Sequence, residues 1–134
     1  MRLIDPLAKA PALGALEIAV LRAIWASSEP LEARAVLDAL APRQISLSTV
    51  QATLERLHRK ALLKRTKRGR AYLYSAAVSR ESLIGALIRN VANSLADGDL
   101  EPVISGFVEL VGDADPRLLD ELKATVAKRS RGRK

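Results

Sequence analysis

Hydrophobic residues along this chain recur mostly at the spacing of an α-helix, and once at the spacing of a strand. Leu13, Leu16, Val20 and Ile24 fall every three or four residues, and Ile18, Leu21 and Trp25 widen the stripe. Side chains at that period share one helix face, so 13–26 reads as a buried amphipathic helix that ends at the SSEP stretch. Ala33, Val36, Leu37 and Leu40 predict a second, shorter helix, stopped at Pro42. In a third, Leu47, Val50, Leu54, Leu57 and Ala61 make the core face, and Ser46 or Ser48 supplies the N-cap hydroxyl. The opposite face carries Ser48, Thr49, Ala52, Arg56 and Arg59, with Gln51 and Glu55 on its flank. That outer face is small and polar in its first half and basic in its second.

The period then switches. In RAYLYS, Tyr72 and Tyr74 share one face of a strand while Ala71 and Leu73 share the other, and Gly69 supplies a tight turn from the preceding LLKRT segment. The expected element is a small β-hairpin with a basic tip at Lys67, Arg68 and Arg70. Helix, helix, helix, hairpin, with a short loop between the second and third helices, is the order of a winged helix–turn–helix.

Beyond this point the pattern is helical again. Ser79 can cap a helix to about residue 96 with Ile84, Leu87, Ile88, Val91 and Leu95 on one side. Asp99 and Pro102 open another, with Val103, Ile104, Phe107, Val108 and Val111 apolar. Asp115 and Pro116 start a last one carrying Leu118, Leu119, Leu122 and Val126. Three short striped helices build little core of their own, so their faces need a partner, and a second copy of the chain is the economical choice. The interface expected from these stripes is Leu87, Val91, Leu95, Val103, Ile104, Phe107, Val111, Leu118 and Leu122. The chain therefore divides into an arm at 1–12, a DNA-binding domain at 13–78, a helical dimerisation domain at 79–127 and a basic tail at 128–134. The fold class is mainly α with a small β-hairpin wing.

Charge sharpens this division. The net charge is +7, but 1–78 holds 13 basic against 6 acidic residues, 79–127 holds 4 against 9, and 128–134 adds five cations. The fifteen residues from Arg56 to Arg70 include eight Lys or Arg and no acid. These cations flank an uncharged helix face and crown a hairpin tip, the arrangement that phosphate contacts need. The expected phosphate contacts are Ser46, Arg56, Arg59, Lys60, Lys67, Arg68 and Arg70. The base-edge candidates are Ser48, Thr49, Gln51 and Ala52, because Gln pairs bidentately with adenine and Ala or Thr methyls meet thymine. Glu55 either accepts from cytosine or pairs with Arg59 one turn on, and the ion pair is the expectation.

Other chemistries find little support. The chain has no cysteine and a single histidine, His58, expected on an exposed helix surface. Disulfides, thiolate metal sites, histidine-based metal sites and a Ser-His-Asp triad are excluded on that count. No phosphate-cradling Gly-rich loop and no carboxylate cluster appears, so no catalytic residue and no cofactor is expected. Trp25 and Phe107 read as core. Glu17 and Arg22 interrupt the most apolar N-terminal stretch, so neither a membrane span nor a signal peptide is expected. A cytoplasmic protein with no direct membrane association follows.

Taken in order, LGALEIAVLRAIWASSEPLEARAVLDAL, the STV start of the third helix, LERLHRK, and GRAYLYS followed by VSRE resemble the BlaI/MecI family of penicillinase repressors, to which CopY-type copper repressors also belong. The resemblance runs over 13–126. It implies a homodimeric winged-helix repressor that binds a palindromic operator, in a family linked to antibiotic-resistance regulation. In several members a membrane-bound sensor metallopeptidase triggers release by cleaving between an Asn and a Phe. The matching bond here is Gly106–Phe107, with Gly in place of the Asn. The cysteines with which CopY-type members bind metal are absent, which excludes that mode of sensing. A protein-interaction module, its basic face meeting an acidic partner, is the alternative from another class.

Overall fold

The computed structural model describes residues 13–132. The arm expected at 1–12 and the last two residues of the basic tail lie outside them. The elements run α1 (Ala15–Ala26), α2 (Ala33–Ala39), α3 (Leu47–Arg59), β1 (Leu63–Arg68), β2 (Ala71–Ala76), α4 (Arg80–Leu95), α5 (Glu101–Ala114) and α6 (Pro116–Arg131). Two compact units divide within α4, after Ile88.

The first unit is built on the stripes that the sequence displays. Val20, Leu21 and Ile24 of α1, Val36 of α2, and Val50, Leu54 and Leu57 of α3 are buried together with Leu40, Leu62, Leu63, Tyr74 and Leu83. Each such side chain contributes about 1.5–3 kcal/mol relative to remaining exposed. Trp25 packs against this cluster and donates its indole Nε1–H to the carbonyl of Val78 at 3.1 Å. The indole thereby joins α1 to the segment that leads into α4. Ala61, expected at the end of the α3 core face, is instead exposed at φ 63°, because α3 stops at Arg59 and the chain turns there toward β1. His58 is half-buried rather than exposed.

The hairpin pairs Leu63 with Ala76 at its base and Arg68 with Ala71 at its tip, antiparallel. Gly69 has φ +64° with only Arg70 between it and β2, as a two-residue II′ turn requires at its first position. Leu31 and Tyr74 exchange backbone hydrogen bonds of 2.9 and 2.8 Å. The wing is therefore tied to the α1–α2 connection and cannot pivot freely about its base.

In the second unit α5 packs against α6. Asp115 caps α6 by accepting from the Arg117 N–H at 3.0 Å, and Asp99 accepts from the Glu101 N–H at 3.1 Å. No residue of α5 or α6 is buried. Leu95, Ile104, Phe107, Val108, Leu110, Leu118 and Val126 are all exposed. α6 continues to Arg131, so much of the basic stretch at 128–134 is helical. Lys128, Arg129 and Arg131 sit in its last turn, where cations suit the helix dipole.

Candidate nucleic-acid interface

Ser46 is the N-cap of α3, its Oγ accepting from the Thr49 N–H at 3.1 Å. The same Oγ lies 3.0 Å from Ser48 Oγ and 2.9 Å from Thr49 Oγ1. Three hydroxyls thus gather at the exposed start of the helix, where backbone N–H groups also point outward. Gln51 and Ala52 are exposed on the same face. Thr53 belongs to the opposite face: fully buried, it donates to the Thr49 carbonyl at 2.8 Å and so satisfies its hydroxyl within the helix.

The wing stands beside this face. Gln51, Ala52 and Glu55 from α3, Arg70, Ala71, Tyr72 and Tyr74 from the hairpin, and Ala33 of α2 line a cleft of about 400 Å³. Lys67, Arg68 and Arg70 are exposed at the tip. Tyr72 keeps 38% of its surface in solvent, with the Arg65 guanidinium 4.1 Å and the Lys67 ammonium 5.9 Å from its ring centre. Such stacking fixes two cations against one aromatic plate. In the sequence Tyr72 shows only a strand phase; its place as an aromatic between basic residues was the available signal.

The expected Glu55–Arg59 pair is not formed. Glu55 is bonded by Arg65, which also donates to Tyr74 Oη at 3.4 Å. That hydrogen bond from Arg65 holds the Glu55 carboxyl below its usual range. A rigid strand residue aimed at α3 wins over a flexible neighbour one turn away. Arg59 is exposed and forms no ion pair among the described residues.

The structure places Arg56 and Lys60 differently from Arg59. Lys60 Nζ is 2.8 Å and Arg56 Nε 3.5 Å from Glu17 Oε2, on α1. Oε1 of the same carboxylate accepts from the Gly14 N–H at 3.0 Å. Burial pushes the Glu17 carboxyl up, but the Lys60 and Gly14 hydrogen bonds and the charges of Lys60 and Arg56 outweigh it and hold the group below its ordinary value.

A three-helix core that presents its third helix next to a hairpin on one polar and basic surface defines a winged helix–turn–helix protein. No His, Cys, Asp and Glu grouping among the described residues is suited to a metal, and no described helix is long and apolar enough to cross a membrane. The chain belongs to the penicillinase repressor family, whose sequence profile matches residues 13–128. It is 36% identical to the transcriptional regulator BlaI of Mycobacterium tuberculosis over 124 residues, 88% of this chain and 90% of that one. A penicillinase repressor of Staphylococcus aureus is 22% identical over 90 residues, 67% of this chain and 71% of its own length. Among solved structures, Bacillus licheniformis BlaI in complex with the blaP half-operator aligns at 28% identity and TM-score 0.46, over 55% of this chain and 90% of that chain.

Proposed function

We propose that this protein is a transcriptional repressor that binds a palindromic operator in double-stranded DNA as a homodimer. The observation that carries this reading is the surface of α3. Exposed Ser48, Thr49, Gln51 and Ala52 form a compact polar face, and the basic wing flanks it across the cleft. Such a face suits the major groove, where each base pair presents its own donor and acceptor pattern. Ser46, Arg59, Lys67, Arg68 and Arg70 surround it as phosphate contacts, which fix register and orientation. The family's relatives are regulators and repressors by name, and the reading assigns no catalytic step.

Dimerisation is supported by the second unit. Exposed Leu95, Ile104, Phe107 and Leu118 leave an apolar surface that a lone chain does not cover. A single winged helix buries too little surface for tight specific binding, and a dimer links two of them. Relief of repression by a membrane-bound sensor metallopeptidase at Gly106–Phe107 belongs to the same reading, with the protein in the cytoplasm. That bond lies inside α5. Cleavage there requires local unwinding, and Gly106, a poor helix former in the interior of α5, lowers the cost of that opening.

Replacing Gln51 with Ala tests the base-reading role. Affinity for the operator should fall by about 1–3 kcal/mol per half-site, concentrated at one base-pair position, with binding to unrelated duplex nearly unchanged. An equal loss on operator and scrambled DNA in the same titration removes Gln51 from the reading set.

A further inference from the structure

Among the described residues Glu17 is the one buried charged side chain, 7% exposed. It lies on α1, and both its oxygens are committed. An unpartnered carboxylate at that depth is costly. Oε1 is satisfied by the Gly14 N–H, and Oε2 faces two cations that α3 and its C-cap residue project toward α1.

We infer that Glu17 is a positioning residue that sets how many cations of the recognition helix reach DNA, by holding Lys60 back and sharing Arg56. This rests on the DNA-binding reading above. Lys60 is the C-cap residue of α3, where a cation already suits the negative end of the helix. With the 2.8 Å contact to Glu17 and only 27% of its side chain exposed, it has two reasons to stay. Arg56 is intermediate: its Nε lies 3.5 Å from Glu17, its Nη2 reaches Thr53 Oγ1 at 3.4 Å, and 47% of its side chain is exposed. Arg59 forms no close ion pair among the described residues, and its charge acts on Glu55 only at longer range. A cation that must leave a partly buried carboxylate to meet a phosphate gains little by the exchange, so it contributes little to counterion release. The basic second half of α3 therefore presents less usable charge than its sequence suggests. A recognition helix with fewer free cations holds random DNA less tightly and leaves more of its discrimination to the base-reading face.

The test is a salt titration of full-length protein on a random-sequence duplex, with Glu17→Gln, Lys60→Gln and the double variant. Gln at 17 keeps an acceptor for the Gly14 N–H while removing the charge. Glu17→Gln should steepen the slope of log affinity against log salt by about 0.9 for each cation released per subunit. For each added contact, the gain in affinity between 200 and 50 mM salt should exceed that of the wild type by about 3–4-fold. Lys60→Gln alone should leave the slope unchanged, and in the double variant the slope should fall back by one such step. A merely structural Glu17 gives an unchanged slope in Glu17→Gln, which overturns the inference. A slope reduced by about 0.9 per subunit in Lys60→Gln also overturns it, and decides the matter even if Glu17→Gln does not fold. A wild-type protein whose DNA binding ignores salt altogether instead removes the DNA-binding reading on which the inference rests.

Discussion

Phe107→Asp is expected to yield a monomeric, still helical protein whose operator affinity falls by about 10²–10⁴-fold, the factor that linkage of two binding modules supplies. Phe107 is the largest apolar side chain of the second unit and keeps 41% of its surface exposed in a single chain. In the same unit Ile104, Val108 and Leu118 are exposed as well. Covering such a surface with a second copy removes it from water. A carboxylate placed there opposes the dimer, because burying an unpaired charge costs more than one apolar contact returns. The monomer should fold nonetheless. The winged helix has its own core around Leu21, Ile24, Val50, Leu54 and Leu57, all within the first unit. What remains is weak, salt-sensitive DNA binding. Sedimentation and a binding titration on one sample check this, and a dimer with full operator affinity would place Phe107 at the periphery.

The second large effect lies at the wing tip. Replacing Lys67, Arg68 and Arg70 together with Ala should weaken every duplex alike. The salt slope should drop by about 0.9 per contact, on the order of five units for a dimer. All three side chains are exposed, and Gly69 keeps the turn, so the melting temperature should change little. Operator preference at individual base pairs should survive, because phosphate contacts carry no direct sequence information. A variant with the wild-type slope would show that the hairpin points away from DNA.

The stripes at Val20–Ile24, Val50–Leu57 and Tyr74 were legible because each element buries one face, and burial leaves its period in the sequence. The caps at Ser46 and Asp115 were legible for a similar reason: both satisfy backbone N–H groups only two or three residues away. Partners across elements were not. Local spacing offered Arg59 to Glu55, but the turn at Ala61 and the start of β1 bring Arg65 within reach, and no periodicity encodes that meeting. Glu17 and Lys60 are separated by 43 positions, and in the sequence Glu17 only interrupts an apolar run. The charge run at Arg56–Arg70 was plain, but its division into committed and available cations depends on α1. In the second unit the helices could be read, whereas the occupant of their apolar faces is a property of an assembly and not of one chain.

Selection of bound duplexes from a random pool, followed by footprinting of the selected sequence with the full-length protein, decides whether this chain is an operator-binding dimer. The expected result is a protected site with twofold symmetry. Its half-sites should lie about one helical turn apart, on the order of 34–36 Å, or a multiple of that distance. Bases should be read where Ser48, Thr49, Gln51 and Ala52 meet the major groove. Equal affinity for every duplex, with no symmetric footprint, would exclude an operator-binding dimer and leave the basic face as a surface for an acidic protein partner.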